Sequence, residues 1–583
     1  MRLVLLALLP GLVMAQIQTS SVLISSKINS DKSTFSNASE VIEEFSGDST
    51  GLLIQKLAQV PGVFINQSGG PASQATIHIR GSEFRHVLVL VDGVRVNDPS
   101  TTSKEANINA LNVGDIARVE IIKGTQSLLY GTDAIGGIVN IITKDKLEHN
   151  SVTVMKGFSN MANWAQGFRA GKLSGVLNYQ YDESEGISSL RKGSEDDAYV
   201  NRNLHMKLNY AWKDDLKSEL LIKDNNQYTE YDNSQTDEKD NYAKSQQSIY
   251  SHKLIGKSDA FEWSFRNSYN RTDRPNISTN GNYLYEGIEQ TNEAIVTKDL
   301  GGNKVLVGIE NINEQFTQTS VEREFAYLNS LYFLYDWKKG DYFGQVGMRG
   351  SSHKTFGDFY SPGASLGKKI GENILSANIQ RGFKAPSLYQ MYGVNETFNK
   401  EENLDLEPES SWAYDLNYQL GNRFNASVFY TKIDNVILNN ATPENGEYLE
   451  ISGVEGKYDW RSENSLTSFS LGLFQYFNPE KKYTYKRPNE RAVIDHIHFI
   501  GDSGEFNFNF QFVGRRYDQN FNTSPTADVK LGAYELVNIS YKHHFDNKEV
   551  VIGIDNVFNE FYESAFEYGT LGQTAYLKFK YMY

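Results

Sequence analysis

Alternation of apolar and polar residues dominates the chain from about residue 150 to its end. Residues 506–512 read FNFNFQF, so that four phenylalanines share one face and Asn507, Asn509 and Gln511 share the other. Residues 574–583 alternate in the same way and end on Tyr583. A period of two is the pattern of a β-strand with two unlike faces. Most of this chain is therefore expected to form β-sheet.

Composition helps to separate a membrane barrel from a soluble antiparallel β-protein, which also alternates. The chain has 35 Tyr and 32 Phe, and its mean hydropathy is only −0.49. Aromatic faces opposite Asn, Gln and Lys faces suit a wet lumen and a lipid exterior. After the N-terminus no run approaches 18 apolar residues, so membrane residence requires strands, which must close into a barrel to pair every backbone group. We predict a transmembrane antiparallel β-barrel.

The length of the alternating segment sets the size of this barrel. If residues 150–583 form a barrel of about 22 strands, each strand together with its share of loop has roughly 20 residues. Bacterial barrels have even strand numbers. A barrel this wide has a lumen that must be filled. The only other segment large enough is residues 35–146, which we predict to be an N-terminal α/β domain inside the lumen.

The N-terminus has the pattern of a secretory signal peptide. Arg2 precedes an apolar run, and Ala15 ends a plausible small-residue cleavage site. We predict a signal peptide over residues 1–15 and a polar segment over residues 16–34. An uncleaved membrane anchor is the alternative, although the stretch is short for one.

Several classes of function are disfavoured. The chain has no Cys, which removes disulfides, thiolate metal sites and Cys nucleophiles. Its net charge of −15 argues against nucleic acid as a partner. Gly131 and Gly136 have the spacing of a phosphate-binding loop, but Gly137 and Ile138 follow where such a loop needs Lys and Ser or Thr. No catalytic arrangement stands out, so we predict that the chain is not an enzyme.

The segment 115–144 carries the most specific signal in the chain. It reads DIARVEIIKGTQSLLYGTDAIGGIVNIITK, and the blocks GLLIQKLAQVPGV, IHIRG and VLVLVDGVRVND precede it. We interpret the last two blocks as paired strands, with a turn at Asp92 and Gly93. Together these blocks resemble the plug domain of TonB-dependent outer-membrane receptors, and within that family they are most similar to the cobalamin (vitamin B12) receptors.

The resemblance implies active import of a scarce nutrient across the outer membrane of a Gram-negative bacterium. TonB, energised by its inner-membrane complex, drives such import, and the substrate is a small molecule, here cobalamin or another corrinoid. A ferric siderophore or haem is the alternative within the class. A passive porin or an outer-membrane enzyme is the alternative outside it. The barrel also implies outer-membrane lipid as a partner.

The resemblance further implies where TonB and the substrate bind. TonB adds to an extended segment near the mature N-terminus, the Ton box, by pairing of backbone groups. The candidate Ton box residues are Ser21, Val22, Leu23, Ile24, Ser25 and Ser26. Two plug loops face the substrate, and their candidate residues are Gln67, Ser68, Gly69, Gly70, Ser73, Gln74, Asn97, Asp98, Ser100 and Thr101.

In the family, plug arginines pair with barrel carboxylates and hold the plug in the lumen. The matching positions here are Arg80 and Lys123 in the plug and Asp415 in the barrel. Lys123 stands where the family has Arg, which removes bidentate geometry. Asp415 stands where the family usually has Glu, whose side chain is longer. These two departures predict a plug that is held less firmly or by different partners.

The resemblance also implies a metal site. The outer loops of cobalamin receptors bind calcium, and carboxylates occupy the matching loops here: Glu195, Asp197, Asp232 and Asp240. We expect them to converge as oxygen ligands for Ca²⁺, and a solvated acidic loop is the alternative. No other cofactor is expected. His496 and His498 share a strand face, which we interpret as facing the lumen, with metal or haem ligation as the alternative.

Overall fold

The computed structural model of the chain describes residues 53–111, 114–232, 241–279, 281–394, 402–438, 442–481, 484–523 and 526–583. It also gives three short N-terminal strands, β1 (Ile24–Ser25), β2 (Asn29–Ser30) and β3 (Ser39–Ile42), of which β1 pairs with β2. The predicted signal peptide lies outside the described residues, as do Ser21, Val22, Leu23 and Ser26 of the predicted Ton box.

The rest of the N-terminal domain consists of short strands and helices. In chain order they are α1 (Leu53–Leu57), β4 (Val63–Gln67), β5 (Ala75–Ile79), β6 (Val87–Val91), β7 (Val94–Arg95), β8 (Ile116–Lys123), α2 (Ser127–Tyr130) and β9 (Gly137–Thr143). Single 3₁₀ turns lie at Phe84–His86 and Ile108–Ala110. We call this domain the plug, because it lies inside the barrel described below.

The plug is built on a five-stranded sheet in the order β3-β8-β9-β6-β7. β6 and β7 form a hairpin whose turn, at Asp92 and Gly93, has the positive φ angles of 49° and 78° that such tight turns require. The predicted pairing of the IHIRG block with the next block is wrong. β5 pairs with β4 instead, and β6 pairs in parallel with β9, about 50 residues further along the chain.

The barrel accounts for the remaining chain. Its strands are β10 (Ser151–Lys156), β11 (Asn160–Ala170), β12 (Leu173–Ile187), β13 (Asp197–Lys213), β14 (Leu216–Glu230), β15 (Tyr242–Lys257), β16 (Glu262–Ser278), β17 (Gly281–Asp299), β18 (Lys304–Gln318), β19 (Val321–Lys339), β20 (Tyr342–His353), β21 (Gly357–Ile370), β22 (Asn373–Lys384), β23 (Glu409–Leu420), β24 (Phe424–Asp434), β27 (Tyr448–Arg461), β28 (Ser465–Phe477), β29 (Glu490–Ile500), β30 (Gly504–Val513), β33 (Tyr534–Phe545), β34 (Lys548–Asp555) and β35 (Thr574–Met582). The connections between them carry α3 (Leu388–Tyr392), β25 (Ile437–Leu438), β26 (Glu444–Asn445), β31 (Arg516–Asn520) and β32 (Ala527–Leu531).

The barrel is closed, and every pairing of neighbouring strands within it is antiparallel. The described part of the chain contributes 22 strands to it, which confirms the predicted fold class and strand number. The first strand, β10, pairs with the last, β35, for example through Val152 and Tyr581. Closure leaves no strand edge in the lipid. No helix among the described residues is long and apolar enough to span a membrane.

The two ends of the barrel differ. Short turns join the strands at one end, whereas at the other end lie the long connections, such as those between β22 and β23 and between β34 and β35. This is the arrangement of outer-membrane barrels, whose short turns face the periplasm. Along much of the barrel wall, apolar side chains point outward and polar ones into the lumen, as Val454 (48% exposed) and Glu455 (4% exposed) show on β27.

The histidine pair on β29 faces the opposite way from our prediction. His498 lies opposite Phe506 and His496 opposite Phe508, on the outer face of the barrel. Their rings stack with centroids 6.2 Å apart, and His496 Nδ1 lies 2.8 Å from the Thr467 hydroxyl. The period of two identified the shared face but not its direction, because aromatic and polar residues both occur on it.

Candidate functional site

A cavity of about 450 Å³ lies between the plug and the half of the barrel that carries the long connections. Both plug loops reach it, through Ser68, Ser73, Gln74, Asp98, Ser100 and Thr101. The barrel supplies side chains that the sequence did not single out: Gln227, Tyr231, Gln247, Arg274 and Tyr285. Two more tyrosines come from long connections, Tyr389 on α3 and Tyr568 between β34 and β35. The cavity therefore combines amide, hydroxyl and aromatic groups.

Four of the predicted substrate residues shape the loops rather than line the cavity. The side-chain amide of Gln67 donates to the Gly70 carbonyl at 2.5 Å, which curls the first loop around Gly69. Asn97 is fully buried. Its amide accepts from the backbone N–H of Val89 at 2.9 Å and donates to the Lys104 carbonyl, also at 2.9 Å. Asn97 thus closes the base of the second loop.

Arg274 on β16 fixes the second loop against the barrel wall. Its Nε lies 2.8 Å from Asp98 Oδ2, and its Nη2 donates to the Ser100 carbonyl at 2.7 Å. Its guanidinium stands 5.1 Å from the ring centroid of Tyr285. Because Asp98 already pairs with this guanidinium, Arg274 does not offer the cavity an unbalanced positive charge.

Helix α3 places Tyr389 in the cavity. The helix begins with a capping box, in which Ser387 accepts from the backbone N–H of Gln390 and the Gln390 side chain accepts from the N–H of Ser387. The Ser387 hydroxyl also donates to the Thr102 carbonyl at 2.9 Å, which ties the helix to the second plug loop. The Tyr389 and Tyr285 rings lie 6.3 Å apart.

A buried cluster of six charges lies beneath the second loop. We call it the Asp133 cluster, and its members are Arg95, Lys104, Asp133, Glu289, Glu314 and Lys384. Lys104 Nζ lies 2.8 Å from Asp133, 3.1 Å from Glu289 and 2.5 Å from Glu314. Lys384 of the barrel reaches Asp133 at 2.6 Å. Three cations therefore balance three carboxylates across the plug–barrel boundary.

Ionisation in this cluster follows from the pairing. Burial alone raises the pKa of a carboxyl group, because it removes water from the charged form. The charges of Lys104 and Lys384 outweigh burial and hold the pKa of Asp133 well below its usual range. Asp133 is therefore expected to stay charged at neutral pH, and its pairing with Lys104 anchors the base of the second loop.

The three residues predicted to hold the plug come together in the structure, around a fourth that was not predicted. Arg80 pairs with Asp415, and its Nε donates to Glu455 at 3.0 Å. Lys123 Nζ lies 3.4 Å from Glu455, so Lys123 is held by Glu455 of β27. We call Arg80, Lys123, Asp415 and Glu455 the plug–barrel lock.

The lock is buried, and its charges depend on one another. Burial lowers the pKa of an arginine, but the charges of Glu455 and Asp415 more than compensate and raise the pKa of Arg80 above its ordinary value. A second buried set joins the plug to another residue of β23. Arg85 Nη2 donates to Glu409 at 2.9 Å, and His86 Nε2 lies 3.0 Å from the same carboxylate. Burial lowers the pKa of His86.

Three of the four predicted calcium ligands also meet. One carboxylate oxygen from each of Glu195, Asp197 and Asp232 lies within 4.8 Å of the others. Asp240 lies outside the described residues. Asp232 accepts from the Ser188 hydroxyl at 3.0 Å and lines the cavity, so this acidic group adjoins the substrate side. Among the described residues, the buried Asp197 Oδ1 has no hydrogen-bond partner, which suits a hard cation with oxygen ligands.

Comparisons with known proteins agree with this architecture. Residues 150–557 match the family model described as TonB dependent receptor-like, beta-barrel, and residues 29–138 match the TonB-dependent Receptor Plug Domain. The chain is 24% identical over 565 residues to the Vitamin B12 transporter BtuB of Vibrio cholerae serotype O1, covering 91% of this chain and 90% of that protein.

Solved structures show the same fold. The siderophore receptor PirA of Acinetobacter baumannii superimposes with a TM-score of 0.80 at 18% identity, covering 94% of this chain and 98% of that one. The ferric enterobactin receptor PfeA of Pseudomonas aeruginosa gives 0.81 at 16% identity, with 94% and 100% covered. With the family models spanning both plug and barrel, this chain belongs to the TonB-dependent receptors of the outer membrane.

Proposed function

We propose that this receptor imports cobalamin or another corrinoid. The observation that carries the proposal is the charge of the cavity. Among the described residues that line it, the cations are Arg274 and Lys244, whereas the carboxylates are Asp98, Glu105 and Asp232. Ferric catecholate complexes are strongly anionic and need unbalanced cations. A corrinoid is a large ring whose periphery carries mostly uncharged amides.

The polar groups of the cavity match such a ligand. Gln74, Gln227 and Gln247 carry both donors and acceptors, which amide groups require. Each also donates once within the protein, to Glu105, the Ala72 carbonyl and the Val96 carbonyl respectively, which fixes its orientation at the cavity wall. The four tyrosines supply apolar surface with a hydroxyl at its edge. The similarity to a vitamin B12 transporter over nine-tenths of both chains supports the same ligand.

Transport requires energy from outside this protein. The outer membrane has no nucleotide supply, and the sequence shows no nucleotide-binding loop. TonB, driven by its inner-membrane complex, pairs with the Ton box on the periplasmic side and remodels the plug. Substrate bound between the plug loops and the barrel then gains a path through the lumen.

Substitution of Tyr285 or Tyr389 by Ala tests the cavity. Each variant removes a ring that faces the substrate, so we expect cyanocobalamin to bind about tenfold to thirtyfold more weakly, the range of a central aromatic contact. Calorimetric titration of the purified full chain measures the affinity. Tyr418→Ala is the matched control, because Tyr418 lies on the outer face. If the wild type binds a ferric catecholate or haem at micromolar concentration but not cyanocobalamin, the corrinoid proposal fails.

Calcium is the second part of the proposal. Glu195, Asp197 and Asp232 bind Ca²⁺ and hold the connection between β12 and β13 beside the cavity. We expect Asp197→Asn to abolish Ca²⁺ binding by the protein alone and to make cyanocobalamin affinity insensitive to a chelator. Asp502→Asn, in a turn at the opposite end of the barrel, is the control. Equal Ca²⁺ binding by Asp197→Asn and the wild type contradicts the assignment.

A further inference from the structure

The outer face of the barrel carries a polar row where lipid-facing strands usually stay apolar. Asn267, Asn292, Asn311, Asn329, Ser352 and Asp358 lie opposite one another in register across six consecutive strands, β16 to β21. All six alternate with lumen-facing neighbours such as Thr291 and Ser330, so they point outward. The row is not part of the substrate cavity.

An apolar row runs directly beside the polar one. Its members, again in register on the same six strands, are Phe265, Ala294, Ile309, Leu331, Gly350 and Tyr360. Ile309, Leu331 and Tyr360 are 57–60% exposed. Ala294, between Phe265 and Ile309, and Gly350, between Leu331 and Tyr360, are small and leave depressions in the row. The two rows enclose a groove of about 570 Å³ on the outer face. One wall of this groove is apolar and the other is polar.

The polar wall has hydrogen-bonding groups left over. Asn267 donates to Asn292 at 2.6 Å, and Asn311 donates to Asn329 at 2.8 Å. Within the described residues, the side-chain amide nitrogens of Asn292 and Asn329 donate to no other group, and no cation pairs with Asp358. Two strand spacings separate the two free donors, about 10 Å. In hydrocarbon such groups are costly unless a ligand satisfies them.

The position of the groove identifies the leaflet. The polar row ends at Ser352 and Asp358, which flank the turn between β20 and β21. Because strands alternate in direction, this turn lies at the same end of the barrel as the connection that carries α3 and Tyr389. That end faces the outside of the cell, so the groove opens into the outer leaflet.

We propose that this groove is a binding site for an outer-leaflet glycolipid of the lipid A class. Its acyl chains lie along the apolar row, and the carbonyls of its acyl linkages accept from Asn292 and Asn329. Its amide N–H groups and acyl hydroxyls donate to Asp358. A diacyl phospholipid offers ester carbonyls but no such donors in its linkage region. The six-residue polar row has no Lys or Arg, so recognition works through the linkage region rather than through phosphate.

The test is the lipid that stays with the full-length protein. We would extract the receptor from outer membranes in mild detergent and identify retained lipids by mass spectrometry. We expect about one lipid A per wild-type barrel and at least fivefold less for the double variant Asn292→Leu with Asn329→Leu. Gln475→Leu, on the exposed face of β28, is the matched control and is expected to change retention by less than twofold. Equal retention by the double variant and the wild type, or a phospholipid as the retained species, overturns the proposal.

A second measurement does not depend on removing the polar groups. A photoreactive phenylalanine analogue at position 309 is expected to cross-link lipid A even after the protein has been washed with detergent. The same probe at position 471, on the exposed part of β28, is expected to give no cross-link after washing. Equal labelling at both positions contradicts a specific site. Cyanocobalamin affinity is expected to stay within twofold in all variants, because both rows face away from the lumen.

Discussion

Replacing Arg80 by Leu is expected to weaken the attachment of the plug to the barrel by about 3–5 kcal/mol, the cost of removing one partner from a buried ion pair. The variant leaves Asp415 and Glu455 buried, and among the described residues Lys123 is the cation that still pairs with Glu455. We would follow plug unfolding in urea by limited proteolysis. In cells, we expect sensitivity to a large hydrophilic antibiotic that the intact receptor excludes.

Two further variants separate the lock from a general effect on the plug. Arg118→Leu also removes a plug arginine, but Arg118 is partly exposed and bonds to Glu120 within the plug itself, at 2.9 Å. We expect little change in plug attachment for this control. Arg80→Lys keeps the charge without the forked geometry and is expected to fall between the two. If Arg80→Leu and Arg118→Leu have the same urea midpoint, the lock does not hold the plug.

Deleting residues 21–26 is expected to reduce cobalamin uptake by cells to the background of a strain that lacks the receptor. Binding of cyanocobalamin to the purified variant is expected to stay within twofold of the wild type, because the cavity is made by other segments. Uptake of radiolabelled cobalamin and calorimetric titration measure the two quantities separately. The two quantities separate if, as proposed, TonB attaches at residues 21–26 and the substrate binds in the cavity.

A single substitution tests how the Ton box works. Leu23→Pro removes one backbone donor and disfavours a paired strand, so it is expected to act like the deletion. Leu23→Ala leaves the backbone free to pair and is expected to retain most uptake. Unchanged uptake after the deletion favours passive entry and argues against this Ton box assignment.

The barrel was predictable because one local rule generates it. Each strand repeats a period of two, and neighbouring strands pair in chain order, so pattern and length gave the strand number. The plug was less predictable. The parallel pairing of β6 with β9 joins segments about 50 residues apart, and no local pattern distinguishes it from the hairpin-like pairing that we expected.

The site shows the same limit. The plug loops were identified through the resemblance to the family, but Tyr285 and Arg274 look like any other lumen-facing residues of a long strand. Glu455 was missed for a similar reason, although its alternation with the outward Val454 places it in the lumen. Its partner Lys123 was identified as a departure from the family, and the structure shows which carboxylate pairs with it.

The pairing of β10 with β35 has a consequence for biogenesis. The first and last strands of the barrel are separated by more than 400 residues, so the ring cannot close until the whole chain has been synthesised. Until then β10 and the growing end both present unpaired edges, which lipid cannot satisfy and which invite pairing with other chains. Closure of the barrel therefore depends on β35, the last strand to be made. Loss of β35 alone is enough to leave two open edges, at β10 and β34.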